Sequence, residues 1–137
     1  MPIQDRSYDV VIGINLHTHL IELLKKSACS RFVIITDSAV KEFYAHQLCT
    51  HIADAGLQVD LIDVQPGEQS KTQENKTMID HKMLELGCGR DTMILAVGGG
   101  VVGDLAGYVA ATYMRGIPFL FVFITSLAIV DSSVGGK

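Results

Sequence analysis

Short apolar runs alternate along the chain with segments of helical periodicity. Leu16, Leu20, Leu23 and Leu24 recur at three- and four-residue spacing, which predicts a helix over Leu16–Lys26. The run Arg31–Thr36 is rich in β-branched residues and is typical of a buried strand. Pattern and turn signals predict, around these two, strand Tyr8–Ile14, a helix capped by Asp37 or Ser38 and running to about Ala55, strand Val59–Val64, helix Thr72–Leu86, strand Thr92–Val97, a helix from about Gly103 to Met114, strand Phe119–Phe123 and a short helix Ser126–Asp131.

This alternation of strands and helices predicts an α/β fold, with a mainly parallel sheet flanked by helices. Ligands of such sheets lie beyond the carboxyl ends of the strands. Four polar or glycine-rich stretches directly follow predicted strands: Asp37, Gly67–Lys71, Gly98–Asp104 and Thr125. We expect them to form a single site on one edge of the sheet.

The run Gly98–Asp104 joins a predicted strand to a predicted helix. Glycine lets the backbone approach a ligand closely, and the first turn of a helix offers unpaired N–H groups to an anion. The run therefore predicts a phosphate- or pyrophosphate-binding turn, although its spacing is not G-x-G-x-x-G. Tight packing of the turn is the alternative. Asp104 either caps the helix or accepts a hydrogen bond from a ribose hydroxyl.

Other polar residues at these strand ends and beyond have both a binding and a structural interpretation. Glu68 suits a ribose diol or an adenine amine, and Lys71 suits a phosphate, but both also suit a solvated loop. Asp37 at a strand end is otherwise a helix cap. Arg115 suits either a helix C-terminus or a phosphate. The segment Asp131–Lys137 has the composition of a polyol and anion site, with a flexible loop as the alternative.

Composition narrows the class of protein. With 137 residues, 48% of them hydrophobic, and a net charge of −4, the chain is typical of a folded domain. We expect no membrane span, since no run of about 20 apolar residues occurs, and no nucleic-acid partner, since no basic stripe occurs. Three scattered cysteines and the lack of a signal peptide favour the cytoplasm. None of the five histidines has metal-site spacing, so we expect no metal ligand here.

Four segments together resemble the 3-dehydroquinate synthase family of the sugar-phosphate cyclase superfamily: Pro66–Lys71, Gly98–Gly107, Ala110–Gly116 and Val130–Lys137. The resemblance implies that residues 1–137 form a three-layered, Rossmann-like, NAD-binding N-terminal domain. It implies that the complete protein is a phosphorus–oxygen lyase. That enzyme converts 3-deoxy-D-arabino-heptulosonate 7-phosphate to 3-dehydroquinate and phosphate by transient oxidation with NAD, phosphate elimination, reduction and intramolecular aldol closure.

The resemblance also assigns roles to individual residues. Those that resemble the NAD contacts are Asp37, Glu68, Lys71, Gly99, Gly100, Val101, Asp104 and Thr125. Asp131 and Lys137 resemble substrate contacts, and Arg115 resembles an arginine that reaches the sugar-phosphate substrate of a neighbouring subunit, which implies a homodimer. Ile124 stands where the family has a threonine that contacts NAD, and Ile129 where it has a glutamine.

The resemblance places the ligands of a divalent metal, zinc or cobalt, beyond Lys137. The chain ends within a glycine-rich segment, so we expect a continuation and expect residues 1–137 alone to be inactive. Three alternatives remain: a sister sugar-phosphate cyclase, a more distant metal-dependent glycerol or alcohol dehydrogenase, and a truncated, non-catalytic nucleotide-binding module.

Overall fold

The computed structural model describes residues 9–11, 16–38, 44–65 and 72–123. Within them the strands are β1 (Asp9–Val11), β2 (Arg31–Asp37), β3 (Gln58–Val64), β4 (Thr92–Gly98) and β5 (Phe119–Phe123). The helices are α1 (Leu16–Lys26), α2 (His46–Asp54), α3 (Gln73–Glu85) and α4 (Gly100–Thr112), and a 3-10 turn, Tyr113–Arg115, follows α4. No helix of the described segments has the length and apolar character needed to cross a bilayer.

The five strands form one sheet in the order β1-β5-β4-β2-β3, and every pairing in it is parallel. This confirms the predicted α/β fold. The chain first places β3 beside β2, and then crosses back past β2 to build β4 and β5 on the other side. The order therefore reverses between β2 and β4, at the position where open α/β sheets open a crevice.

Helices cover both faces of the sheet, as the three-layered prediction requires. On one face, α3 and α4 pack through Ile79, Met83 and Val109 against one set of strand residues, which includes Val33 and Ile94. On the other face, α1 and α2 pack through Leu24, Leu48 and Ile52 against the alternate set, which includes Phe32 and Leu95. Each fully buried side chain of this size contributes about 1.5–3 kcal/mol relative to leaving it exposed.

Most helices begin and end close to the residues that the sequence predicts. The Thr72 hydroxyl accepts a hydrogen bond from the Asn75 N–H at 3.0 Å and caps α3, as predicted. Gly56 and Gly87, which have φ of +89° and +82°, follow the C-terminal ends of α2 and α3. The helix predicted from Asp37 or Ser38 to about Ala55 is observed as α2, His46–Asp54. Residues 39–43, in the first half of the predicted helix, lie outside the described residues.

The predicted start of the fourth helix is wrong. The sequence predicts a start at about Gly103, but α4 begins at Gly100 and has Gly99 as its N-cap. A run of glycines favours a turn in sequence-based reasoning because each glycine costs a helix about 1 kcal/mol. Here Gly103 belongs to the helix because it lets α4 approach β5 closely: a Cβ at this position would lie 2.6 Å from ring atoms of Phe121.

Candidate nucleotide-binding site

The carboxyl ends of the strands lie level with one another at one edge of the sheet. In the sheet register, Asp37 pairs with Val64 of β3, and Gly98 pairs with Phe123 of β5. Thr36 of β2 pairs with Val97 of β4, so Asp37 and Gly98 follow side by side on adjacent strands, which are about 4.8 Å apart. The helix that follows β2 along the chain, α2, packs on one face of the sheet, and the helix that follows β4, α4, packs on the other.

The turn between β4 and α4 presents bare backbone N–H groups at this edge. Gly98 has φ of +151°, which favours glycine, and the N-cap Gly99 has no side chain with which to cap the helix. The first N–H with a helical acceptor is that of Gly103, which donates to the Gly99 carbonyl at 3.0 Å. Within the described part of the chain, the N–H groups of Gly100, Val101 and Val102 have no acceptor.

This helix start can hold an anion. Three N–H groups that have no acceptor among the described residues, together with the positive end of the helix dipole, favour phosphate oxygens. The space beside Gly100 is open, because a Cβ there would meet no heavy atom within 4 Å. Free donors together with open space are what a diphosphate needs in order to approach the backbone, and the N-cap supplies no competing side chain.

Asp104 is exposed on the second turn of α4. The capping role considered for this residue is therefore wrong, because the helix begins four residues earlier, at Gly100. Since Asp104 follows the turn on the same helix, it is close to the cradle formed by the N–H groups of Gly100, Val101 and Val102. Asp37, the last residue of β2, is half-buried and lies beside the turn. The structure thus brings Asp37, Gly99, Gly100, Val101 and Asp104 to one edge.

Arg115 lies at the opposite edge of the sheet. It follows α4, whose 13 residues extend about 20 Å away from the glycine turn. The Arg90 guanidinium donates to the Met114 carbonyl at 3.1 Å, and the Ile94 N–H donates to the Pro118 carbonyl at 3.0 Å, which places this segment beside the start of β4. Arg115 therefore does not join the crevice of its own chain.

The turn that carries Arg115 has an unusual backbone. Met114 and Arg115 have φ of +49° and +69°, which costs a residue with a side chain about 1 kcal/mol or more. The Tyr113 hydroxyl donates to the Cys88 carbonyl at 2.8 Å, and the Arg90 contact also holds this turn. Sequence reasoning missed both Arg90 and Tyr113, because neither contact has a signal in the local pattern.

Five of the predicted site residues lie outside the described residues: Glu68, Lys71, Thr125, Asp131 and Lys137. Ile124 and the predicted helix Ser126–Asp131 also lie outside them. The segment that carries Glu68 and Lys71 is bounded by two described positions. It leaves the carboxyl end of β3 after Val64 and ends at Thr72, the cap of α3.

The described residues contain no group of three or more His, Cys, Asp or Glu side chains that could hold a metal ion. All three cysteines are free thiols. Burial raises the pKa of Cys29, Cys49 and Cys88, so at neutral pH these thiols stay protonated and are weak nucleophiles.

Proteins similar in sequence match nearly the whole of this chain. The 3-dehydroquinate synthase of Pelobacter propionicus (strain DSM 2379 / NBRC 103807 / OttBd1) is 42% identical over 134 residues, which are 97% of this chain and 37% of that protein. The pentafunctional AROM polypeptide of Komagataella phaffii (strain GS115 / ATCC 20864) is 42% identical over 142 residues, 96% of this chain and 9% of that protein. The chain thus spans about a third of the first relative and about a tenth of the second.

A solved structure shows the same fold. The crystal structure of 2-deoxy-scyllo-inosose synthase complexed with carbaglucose-6-phosphate, NAD+ and Co2+ has a TM-score of 0.75 and 29% identity to this chain. The match covers 90% of this chain and 33% of that one. The family model described as 3-dehydroquinate synthase N-terminal matches residues 61–137, more than half of the chain. The chain belongs to the 3-dehydroquinate synthase family and corresponds to its N-terminal part.

Proposed function

We propose that residues 1–137 are the NAD-binding N-terminal domain of a 3-dehydroquinate synthase. The observation that carries the proposal is the uncapped start of α4, at the point where the sheet order reverses. Among the described residues three N–H groups there have no acceptor, and the space beside Gly100 is open. In the complete enzyme, bound NAD supplies an acceptor and donor of hydride. This chain's own residues bind and orient it.

Each described site residue has a role in the proposal. The N–H groups of Gly100 and Val101, with the backbone of Gly99, hold the diphosphate of NAD. Asp37 accepts a hydrogen bond from a ribose hydroxyl at the carboxyl end of β2, and Asp104 accepts one beside the cradle. Glu68, Lys71 and Thr125 complete the NAD site, while Asp131 and Lys137 contact the substrate.

The proposal extends to the complete protein. Its proposed substrate is the sugar phosphate 3-deoxy-D-arabino-heptulosonate 7-phosphate and its proposed product is 3-dehydroquinate, as the resemblance to the family implies. The described residues contain no ligand set for a divalent metal, and the proposal places its ligands in the part of the complete protein beyond Lys137. We place the protein in the cytoplasm as part of the proposal.

The position of Arg115 supports a homodimer. Its side chain is exposed at the edge far from its own crevice, on a turn held by Arg90 and Tyr113. Across the described residues it has neither an ion pair nor a hydrogen bond from its side chain. We propose that a second copy brings its own crevice to this arginine, which binds the substrate phosphate there through its planar fork.

The NAD proposal is tested by calorimetric titration of the 137-residue chain with NAD. Wild-type chain should bind NAD. Gly100→Ala should weaken binding at least about tenfold, because the added methyl occupies the space that the diphosphate needs.

The matched control is Gly107→Ala, which also places alanine in α4 but meets only Phe119 at 3.5 Å, an ordinary contact distance. It should bind NAD as the wild type does. The proposal is wrong if the wild type shows no heat of binding, or if both variants bind as tightly as the wild type.

A sister sugar-phosphate cyclase is the second candidate, because the matched solved structure is that of 2-deoxy-scyllo-inosose synthase. Turnover of the heptulosonate phosphate by the complete enzyme supports the first candidate. Turnover of a different sugar phosphate in its place supports the second.

A further inference from the structure

Arg115 belongs to a tight four-residue turn, which is closed by one backbone hydrogen bond. The Gly116 N–H donates to the Tyr113 carbonyl at 2.8 Å. The two central residues, Met114 and Arg115, have φ of +49° and +69°. Positive φ at both central positions is the pattern of a type I′ turn, which glycine and asparagine favour. Because a methionine and an arginine occupy these positions, the turn needs support from contacts outside it.

That support comes from the loop between α3 and β4. The buried Tyr113 hydroxyl donates to the Cys88 carbonyl at 2.8 Å, which fixes the first residue of the turn. The Arg90 guanidinium donates to the Met114 carbonyl at 3.1 Å. This carbonyl belongs to the peptide that joins Met114 to Arg115. Arg90 therefore fixes the plane of the peptide that leads into Arg115.

The loop that carries Arg90 is attached to the sheet at both of its ends. The Arg31 guanidinium donates to the Leu86 carbonyl at 2.7 Å, where the loop begins. The Ser30 N–H donates to the Asp91 carbonyl at 2.9 Å, where the loop ends. Arg90 directly precedes Asp91, so it reaches the turn from a support that the start of β2 holds in place.

The orientation of the peptide after Met114 sets the direction of Arg115. Rotation of a peptide plane changes ψ of the residue before it and φ of the residue after it. Here such a rotation would remove the positive φ of Arg115, a conformation that residues with side chains rarely adopt, and would redirect the side chain. The hydrogen bond from Arg90 opposes that rotation.

We propose that Arg90 is a positioning residue for Arg115. It makes no contact with the sugar phosphate. It holds the Met114 carbonyl and so fixes the direction in which the exposed Arg115 guanidinium meets the substrate phosphate in the crevice of a second copy. Direction matters because a guanidinium binds phosphate through a planar fork. This inference rests on the proposed function.

The test measures steady-state kinetics of the complete enzyme with 3-deoxy-D-arabino-heptulosonate 7-phosphate. Arg90→Ala removes the donor, and Arg90→Lys keeps one donor for the single carbonyl. Arg115→Ala removes the phosphate contact itself, and a double variant combines it with Arg90→Ala. Lys82→Ala is the matched control, because it removes an exposed cation from the last turn of α3, just before the same loop. Urea unfolding measures the stability of each variant.

We expect Arg115→Ala to raise KM at least about thirtyfold and Arg90→Ala to raise it about fivefold, with kcat changed less than about twofold, because both weaken phosphate binding. Arg90→Lys should restore KM to near the wild-type value. In the double variant the loss of Arg90 should add nothing, because the residue that it positions is absent. Lys82→Ala should leave both constants unchanged.

Two results overturn the inference while the proposed function stands. In the first, Arg115→Ala raises KM but Arg90→Ala behaves as Lys82→Ala does. In the second, Arg90→Ala raises KM equally with and without Arg115, or its loss is confined to kcat or to stability. The hydrogen bond then serves only the structure of the turn.

Failure of the proposed function gives different results. If Arg115→Ala matches the wild type, the proposed role of Arg115 and the inference fail together. If the wild type does not turn over this sugar phosphate, the proposed function fails and the inference fails with it.

Discussion

Three of the four glycines in residues 98–103 are each glycine for a different physical reason. Gly98 has a positive φ at the end of β4, which a side chain would strain. Gly100 borders open space at the start of α4, and Gly103 lies so close to Phe121 that no Cβ fits. The glycine-rich run therefore contains a position with a positive φ, a position beside open space and a position of close packing, and the sequence alone does not tell them apart.

Gly103→Ala should destabilise the fold by about 1–3 kcal/mol, because the ring of Phe121 must move to admit the methyl group. Urea unfolding measures the loss. Gly107→Ala serves as the control in the same helix and should be neutral or slightly stabilising, since alanine is the better helix former. Equal stability of the two variants would contradict the packing role of Gly103.

Asp37 should make the chain prefer NAD to NADP. A carboxylate at the end of β2 accepts a hydrogen bond from a ribose hydroxyl and repels a ribose phosphate. Asp37→Ser should therefore bind NAD more weakly and should discriminate less between NAD and NADP. Calorimetry with each dinucleotide gives the two dissociation constants, and the ratio of the NADP constant to the NAD constant should fall. An unchanged ratio would show that Asp37 does not face the ribose.

At the scale of elements, local signals located most of the helices and strands. The spacing of leucines gave α1 the observed bounds, Leu16–Lys26, and Thr72 marked the start of α3. The sequence does not predict the start of α4, because helix propensity disfavours glycine there. Gly103 is part of the helix because it packs closely against Phe121 of β5. The position of Arg115 follows from the direction of α4, which carries it away from the edge where the strands end.

A glycine substitution should stabilise the fold in the turn after α4 and destabilise it within a helix. Met114→Gly should raise stability by about 0.5 kcal/mol, because glycine adopts the observed φ of +49° without strain. Leu84→Gly, at a similarly exposed position inside α3, should lower it by about 1 kcal/mol. Urea unfolding of both variants measures the difference, and a loss of stability in Met114→Gly would show that the turn is not strained.

At the scale of the whole molecule, the sheet order is what no local pattern could predict. The short strand β1 pairs with β5, more than 100 residues later in the chain, and that pairing depends on the packing of the layers between them. The rule that ligands lie at the carboxyl edge nevertheless sufficed to group Asp37 with the glycine turn. That rule does not predict the contacts between α3 and α4, because Tyr108 and Lys76 are far apart in sequence and come together only in the folded chain.

The pH dependence of stability is also a property of the whole molecule. Burial raises the pKa of the phenols of Tyr44 and Tyr113 and of the thiols of Cys29, Cys49 and Cys88. Groups whose pKa is higher in the folded state contribute stability below their unfolded values, 9.0 for thiols and 10.0 for phenols, and lose it as the pH rises through the folded pKa.

Stability should therefore fall above about pH 9, and urea unfolding at a series of pH values measures this. Tyr44→Phe should flatten the fall, because it removes a buried titrating hydroxyl. Stability that is constant or rises between about pH 8 and pH 11 would contradict the burial of these groups.

The central claim is that the start of α4 binds the diphosphate of NAD through its backbone, and amide chemical shifts test it most directly. The labelled 137-residue chain is titrated with NAD and followed by two-dimensional NMR. The account predicts that the largest shifts fall on the N–H groups of Gly100, Val101 and Val102, with a smaller shift at Asp37. Shifts confined to other parts of the chain, or none at saturating NAD, would contradict it.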